Sequence, residues 1–235
     1  MKIDRISGMR RGVVLAMAMM VIAGNAYGQK INWGNAAGDV NIDSHGDPLS
    51  ATFSFQLGTF VDSAGGNPLL QFNPNESNTD VWGANWVPLD TATYNQAAPP
   101  NEAQGFFSDS WIPADSTYEG FQAYIWIYNN QAGDASSEWA LFTDLGGPNA
   151  WLIPASTGSQ QNFPTQWRVS TAVDLIFGGL NSVDGPGGTD AGTPSTFAIQ
   201  TNTVPEPQTP LLVALVLGCR LLCRHRPTGA RRSSP

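Results

Sequence analysis

Apolar and polar side chains alternate along two segments of the chain, which is the pattern of a β-strand with two distinct faces. In residues 51–58, phenylalanine and leucine occupy one face and threonine, serine and glutamine the other, which predicts a half-buried strand. In residues 120–128, both faces carry bulky side chains. A strand of that kind is usually covered on both sides, so we expect residues 120–128 to lie at the centre of a sheet.

Further strands are predicted where short runs rich in β-branched and aromatic residues lie between glycine- and proline-rich turns. These runs are residues 104–112, 138–143, 150–153, 166–171 and 195–201, with weaker signals at 31–33 and 40–42. Many short strands with frequent turns indicate a mainly β fold, an antiparallel β-sandwich or jelly roll with one or two short helices.

One short helix is predicted over residues 78–87. Trp82 and Trp86 are four residues apart there, so they share one helical face, and Pro88 follows as a stop signal. A helical turn is also expected within residues 171–180.

The first 28 residues have the three-part layout of a secretory signal peptide. Four basic residues between positions 2 and 11 precede an apolar run at residues 12–24, and the small-x-small sequence Ala26-Tyr27-Gly28 follows. We expect an N-terminal signal helix that is cleaved after Gly28, which leaves Gln29 at the mature N-terminus. The apolar run of thirteen residues is short for a membrane span.

The other end of the chain reads Pro205-Glu206-Pro207, then an apolar stretch over residues 211–223, then a basic tail. These three parts, in this order, resemble the PEP-CTERM sorting signal over roughly the last thirty residues. The resemblance implies that an exosortase recognises and processes the tail. The body is similar to uncharacterised exported PEP-CTERM proteins at residues 55–60, 84–86, 123–126 and 138–141, and this likeness implies no activity.

The physical chemistry of the tail indicates a transient stage in the membrane. We expect its apolar stretch to form a short C-terminal helix, which contains Arg220 and falls below the ~20 residues that span a bilayer. The arginines that follow favour a cytoplasmic C-terminus during export. We therefore expect brief contact with the inner membrane before the protein reaches the cell surface or the extracellular space.

The chain divides into four segments. Residues 1–28 form the signal peptide, 29–201 the β-sandwich body, 202–210 a proline-rich stalk with the sorting motif, and 211–235 the short apolar helix and basic tail. The body holds all eight tryptophans and all eleven phenylalanines, which argues for a packed core rather than disorder. Both cysteines lie in the tail, so the body has no thiol for a disulfide, a metal or a nucleophilic site.

The charge of the body excludes one class of partner. The body contains seventeen carboxylates and only two cationic side chains, Lys30 and Arg168, so its formal charge is −15. Nucleic-acid binding requires cationic side chains that replace the counterions of phosphate. We therefore expect no nucleic-acid partner.

No catalytic residue, cofactor or metal site is predicted. Asp39, Asn41 and Asp43 have the spacing of the first ligands of a Ca²⁺ loop, but Ser44 and Ser50 stand where such a loop requires glycine and glutamate. His45 is the only histidine of the body, and no nucleophile motif is present. The many carboxylates leave a glycoside hydrolase open, although no pattern selects a pair of them.

The aromatic residues suggest one binding surface. Tyr124, Trp126 and Tyr128 fall on one face of a predicted strand and could stack on sugar rings, although burial in the core is the simpler interpretation. Exposure of Trp126 would decide between the two. The sequence thus favours an exported, non-enzymatic surface or matrix protein whose partners are the export machinery and an exosortase-like enzyme. The alternatives are a carbohydrate-binding module for extracellular polysaccharide and, third, a cryptic glycoside hydrolase.

Overall fold

The computed structural model describes residues 28–36, 39–95, 106–134, 136–157, 164–186 and 196–205. The signal peptide up to Tyr27 lies outside these ranges, as do Glu206, Pro207 and the C-terminal tail. In the described part of the chain, no helix has the length and apolar character needed to cross a membrane.

The described residues form a mainly β structure, as the sequence predicts. Its strands are β1 Ile31–Gly34, β2 Asn41–Ile42, β3 Ser54–Asp62, β4 Asn67–Gln71, β5 Trp86–Ala92, β6 Tyr94–Asn95, β7 Phe106–Trp111, β8 Tyr124–Tyr128, β9 Glu138–Thr143, β10 Thr165–Arg168, β11 Asp174–Phe177, β12 Gly179–Leu180, β13 Val183–Asp184, β14 Ile199–Gln200 and β15 Asn202–Thr203. One α-helical turn, α1, spans Trp82–Asn85, and 3-10 turns span Glu76–Val81, Gly147–Asn149 and Val169–Thr171.

A curled seven-stranded sheet forms the centre of the molecule. Its order is β11-β9-β8-β3-β4, with β5 beside β3 and β15 beside β9, and all of its pairs are antiparallel. A second sheet has the order β10-β1-β7-β6 and a third the order β13-β12-β14-β2. Each smaller sheet contains one parallel pair, β1 with β10 and β14 with β2.

The central strands are buried on both faces. Of the strand predicted over residues 120–128, residues 124–128 form β8, which lies at the centre of the sheet as predicted. One face of β3, β8 and β9 contributes Phe55, Ile125 and Phe142 to a core that also contains Trp33 of β1 and Trp167 of β10. The opposite face contributes to a second, aromatic core, which consists of Phe60, Trp82, Trp86, Tyr124, Trp126, Tyr128, Trp139, Leu141, Phe177 and Val204. Side-chain alternation along each strand therefore feeds two separate cores.

The prediction of a helix over residues 78–87 is confirmed as far as Asn85 and is wrong for its last two residues. The helical turn α1 ends at Asn85, and Trp86 begins β5, which pairs with β3 over six residues from Phe55 to Phe60. Pairing to β3 gives the backbone of this segment more hydrogen bonds than an isolated helical turn would, and Pro88 cannot continue a helix. Trp82 and Trp86 both pack in the aromatic core. The prediction that they point to the same side is therefore confirmed, although Trp86 lies in a strand and not in a helix.

Two further sequence expectations differ from the structure. Residues 150–153 form no strand and make only a single bridge, between Gln122 and Leu152. The helical turn expected within residues 171–180 lies earlier, at Val169–Thr171. The rest of that segment holds the strands β11 and β12.

Candidate functional site

The possible sugar platform at Tyr124, Trp126 and Tyr128 is not a surface, and burial in the core, the simpler interpretation of the sequence, is what the structure has. These side chains are 2%, 0% and 9% exposed, respectively. The segment that contains α1 folds over this face of β8, and the Trp82 and Trp86 rings pack on Trp126 with centroid distances of 6.0 and 5.3 Å. The three residues are therefore core, and the sugar-binding assignment to them is corrected.

Burial also sets the chemistry of the aromatic core. Loss of solvent raises the pKa of Tyr124 to about 12, although a hydrogen bond with Gln71 opposes the shift. The pKa of Tyr128 is raised for the same reason. Among the described residues, no hydrogen-bond acceptor reaches the indole Nε1 of Trp126, whose neighbours are mostly ring faces. This cluster is consequently a structural element without an accessible ligand surface.

Trp111 is the one tryptophan that is not buried. The other seven have exposures of 8% or less, whereas Trp111, at the end of β7, is half-buried. It lines a cleft of about 200 Å³ between β5 and the loop after β7. The lining residues are Val87, Pro88, Leu89, Trp111, Ala114, Asp115, Tyr118 and Ile153.

The cleft combines two aromatic rings with one carboxylate. Trp111 and Tyr118 are both half-buried and pack against the first core, so each keeps part of its ring accessible. Hydrogen bonds from the Thr117 backbone and side chain lower the pKa of Asp115, whose Oδ1 accepts the Thr117 N–H at 2.9 Å. A sugar ring can stack on an apolar wall of this kind, and its hydroxyl groups can donate hydrogen bonds to the ionised Asp115 carboxylate.

Sequence reasoning missed Trp111, although a signal for it is present. Residues 104–112 were predicted as a strand, and in that strand Trp111 follows Ser108, Asp109 and Ser110. A tryptophan after three polar residues at a strand end is a candidate for partial exposure. The aromatic residues of 120–128 resemble a binding surface more closely in sequence. Their exposure depends on which distant segment covers them, and the sequence pattern does not contain that information.

A second group of side chains meets at the start of β9. One ligand-type atom each from Asp43, His45 and Glu138 lies within 4.8 Å of the others. The Nδ1 atom of His45 is 3.8 Å from Glu138 Oε1. Glu138 accepts hydrogen bonds from Ser44 Oγ and Thr201 Oγ1, both at 2.8 Å. The sequence pattern groups Asp43 instead with Asp39 and Asn41, at the spacing of the first ligands of a Ca²⁺ loop.

That earlier set is not assembled. The Oδ2 atom of Asp39 accepts the backbone N–H of Ala36 at 2.8 Å, and the buried Asn41 side chain forms a hydrogen bond with Tyr94. Asp43 instead turns toward His45 and Asp47, whose backbone N–H groups donate to its Oδ1 at 2.9 and 3.0 Å. The spacing of a Ca²⁺ loop therefore arises here from an ordinary strand and turn.

Paired carboxylates for glycoside hydrolysis do not line either of the two clefts described. The cleft at Trp111 contains Asp115, and a larger cleft of about 370 Å³ beside β2 contains Asp39. Among the described residues, each cleft thus has one carboxylate, whereas both common hydrolytic mechanisms use two.

The ends of the predicted body are placed as follows. Gly28 is buried, and Gln29 is half-buried with its side-chain amide bonded to Thr165 Oγ1. At the other end, the folded part extends beyond the predicted boundary at residue 201: Asn202–Thr203 pair with β9, and Val204 donates its backbone N–H to the Ser137 carbonyl at 2.8 Å. Residues 202–204 therefore belong to the body and not to the stalk, and Pro205 is exposed. The first residue of the sorting motif thus follows directly on the central sheet, and its two other residues lie outside the described ranges.

Comparison of the chain with protein-family models, with curated proteins and with solved structures finds no match.

Proposed function

We propose that the chain is an exported, non-enzymatic protein of the cell surface or extracellular matrix, delivered and processed through its PEP-CTERM-like tail. The observation that carries this proposal is the separation of charge along the chain. Nine of the eleven cationic residues lie in the two end segments, and the body between them is strongly acidic. Basic ends direct export and hold the C-terminus inside, while an acidic body is soluble outside the cell.

The exposure of Pro205 supports a processing site at this position. β15 ends at Thr203, and Val204 is the last of the described residues that packs in the aromatic core. Cleavage near Glu206 would therefore leave the packed body intact. The proposal also includes a sandwich or jelly-roll arrangement, which is supported by the core shared between the central sheet and β1, β7 and β10.

Glu206→Ala is expected to block processing while it leaves removal of the signal peptide unchanged. A longer, membrane-associated species that retains Arg231 and Arg232 should accumulate, because the basic end still holds the tail inside. Cell fractionation followed by mass spectrometry of the terminal peptides, in a host with an exosortase, measures this. Gln208→Ala, next to the motif, is the matched control and should be processed normally. Wild-type protein outside the cell with both arginines attached would refute processing.

We propose polysaccharide binding at the Trp111 cleft as a second candidate function. The half-buried rings of Trp111 and Tyr118 beside the Asp115 carboxylate favour it. A body with a formal charge of −15 repels acidic polymers, so the expected ligand is a neutral polysaccharide. The cleft of about 200 Å³ suits one sugar ring at a time.

Trp111→Ala is expected to weaken binding to a neutral polysaccharide by about tenfold or more, since a stacking aromatic residue commonly dominates such contacts. A glycan array identifies the polymer, and affinity electrophoresis measures the change. Trp111→Phe should keep part of the affinity, and Leu69→Ala, an exposed apolar change on β4, should keep all of it. Equal binding by folded Trp111→Ala protein, or no glycan bound by the wild type, would exclude this function.

A further inference from the structure

We propose that Asp43, His45 and Glu138 form a binding site for a divalent transition-metal ion of the zinc class. Two carboxylates and one imidazole converge there, with their ligand-type atoms within 4.8 Å of one another. Donor atoms bound at about 2.0–2.2 Å from a tetrahedral zinc ion lie about 3.3–3.6 Å apart, so the three side chains need to move together by about 1 Å or less to bind one ion. The three residues come from the turn after β2 and from the first position of β9.

The turn holds the Asp43 carboxylate in place before any ion binds and fixes the His45 backbone beside it. Asp43 Oδ1 accepts the backbone N–H groups of His45 and Asp47, and the Asp43 N–H donates to the Asp47 carbonyl at 2.8 Å. These bonds commit one carboxylate oxygen to the backbone. Within the described residues, no hydrogen bond reaches Asp43 Oδ2, so that oxygen remains available as a ligand.

Glu138 is oriented by partners from two different elements. Ser44 Oγ donates to its Oε1 and Thr201 Oγ1 to its Oε2, and the Ser44 backbone N–H reaches Oε2 at 3.3 Å. Hydrogen bonds of this kind fix ligand geometry at metal centres and reduce the entropy lost on binding. Glu138 is therefore preorganised toward the turn that carries the other two ligands.

The charge of the cluster favours a cation. The Glu138 side chain is only 12% exposed, and its contact with His45 is the only ion pair found among the described residues. The two other cationic groups of the body lie elsewhere, Lys30 before β1 and Arg168 at the end of β10. Two carboxylates beside one imidazole form a donor set that suits a divalent cation.

The donor set indicates which ion binds. Ca²⁺ and Mg²⁺ prefer shells of oxygen donors, whereas imidazole together with carboxylates suits zinc and its neighbours. Three protein ligands leave one position of a tetrahedron open. The His45 side chain is 63% exposed, so water or a donor group from another molecule can reach that position.

The experiment uses the full chain with the tail residues Cys219, Cys223 and His225 replaced by serine, serine and alanine, because these residues could bind zinc themselves. After treatment with a chelator, isothermal titration with ZnCl₂ should give one ion per chain. His45→Ala should weaken zinc affinity at least tenfold, and this exposed change should not disturb folding. Asp47→Asn, in the same turn but outside the ligand set, should bind zinc like the parent.

Two further measurements distinguish the proposal from its alternatives. Co²⁺ should give visible absorption bands of a low-symmetry four-coordinate site in the parent, and Glu138→Gln should remove them. Unfolding curves establish that each variant is folded. The proposal is overturned if zinc binds equally to folded His45→Ala protein, if no zinc binds at millimolar concentration, or if Ca²⁺ binds at least as tightly as zinc.

Discussion

Replacing Trp126 by alanine is expected to lower the free energy of unfolding by about 4 kcal/mol. Trp126 is fully buried at the centre of the aromatic core, where the Trp139 ring lies perpendicular to it at 5.0 Å and the Tyr128 ring lies at 4.8 Å. Truncation removes these contacts and leaves a cavity that rigid ring neighbours cannot fill by small movements. Denaturant unfolding followed by far-UV circular dichroism measures the loss.

Two control variants isolate the cause. Trp111→Ala removes the same side chain from a half-buried position, so its cost should be clearly smaller. Trp126→Phe keeps most of the ring volume and removes an indole N–H that has no acceptor among the described residues, so it should cost less than half as much as alanine. Similar losses for Trp126→Ala and Trp111→Ala would contradict the assignment of Trp126 to the core.

Gly34→Ala is expected to cost about 3 kcal/mol, from strain and steric overlap together. Gly34 ends β1 with a φ of +140°, a conformation that residues with a Cβ rarely adopt. An added Cβ would also overlap the Phe107 carbonyl oxygen and lie 2.8 Å from Ser108 Cα. Both neighbours are backbone atoms of β7, so relief requires opening of the β1–β7 pair. Thermal or denaturant unfolding measures the effect.

Gly66→Ala is the matched control for Gly34→Ala. Gly66 has a φ of +81°, but no heavy atom lies within 4 Å of an added Cβ. It should therefore show only the conformational cost of about 1 kcal/mol. The difference between the two variants measures the steric overlap at β7. If both variants lose equal stability, close packing of β1 on β7 is not what requires glycine at position 34.

The central strands were predictable because alternation is a local property. In β3 and β8, successive side chains point to opposite faces, so the pattern of residues 51–58 and 120–128 indicates the strands and their two faces directly. The strand β9, Glu138–Thr143, also has the predicted bounds, although there the local signal is a run of apolar and aromatic residues between turns. Shorter elements such as β12 and β13 have two residues each, which is too few for any periodic signal.

The β5 segment shows where local reasoning fails. Trp82 and Trp86 at a spacing of four satisfy a helical pattern, yet pairing with β3 draws Trp86 into a strand. The partner strand begins at residue 54, more than twenty residues earlier, so no local pattern contains this competition. The glutamine at position 56 completes the arrangement, because its Oε1 accepts the Trp86 indole N–H at 2.8 Å.

The amino-acid sequence by itself determined the acidic charge of the body, its lack of cysteine, its aromatic content and the two faces of its central strands. It is also the sole basis for the signal peptide and the sorting motif. Only the tertiary structure decided that Trp126 is covered while Trp111 is accessible, and that Ser44 and its neighbours meet Glu138 across 94 positions of sequence. The physical reason is that net charge follows from composition and alternation from the order of adjacent residues. The burial of a side chain, and the meeting of side chains from distant positions, depend instead on which segments pack together.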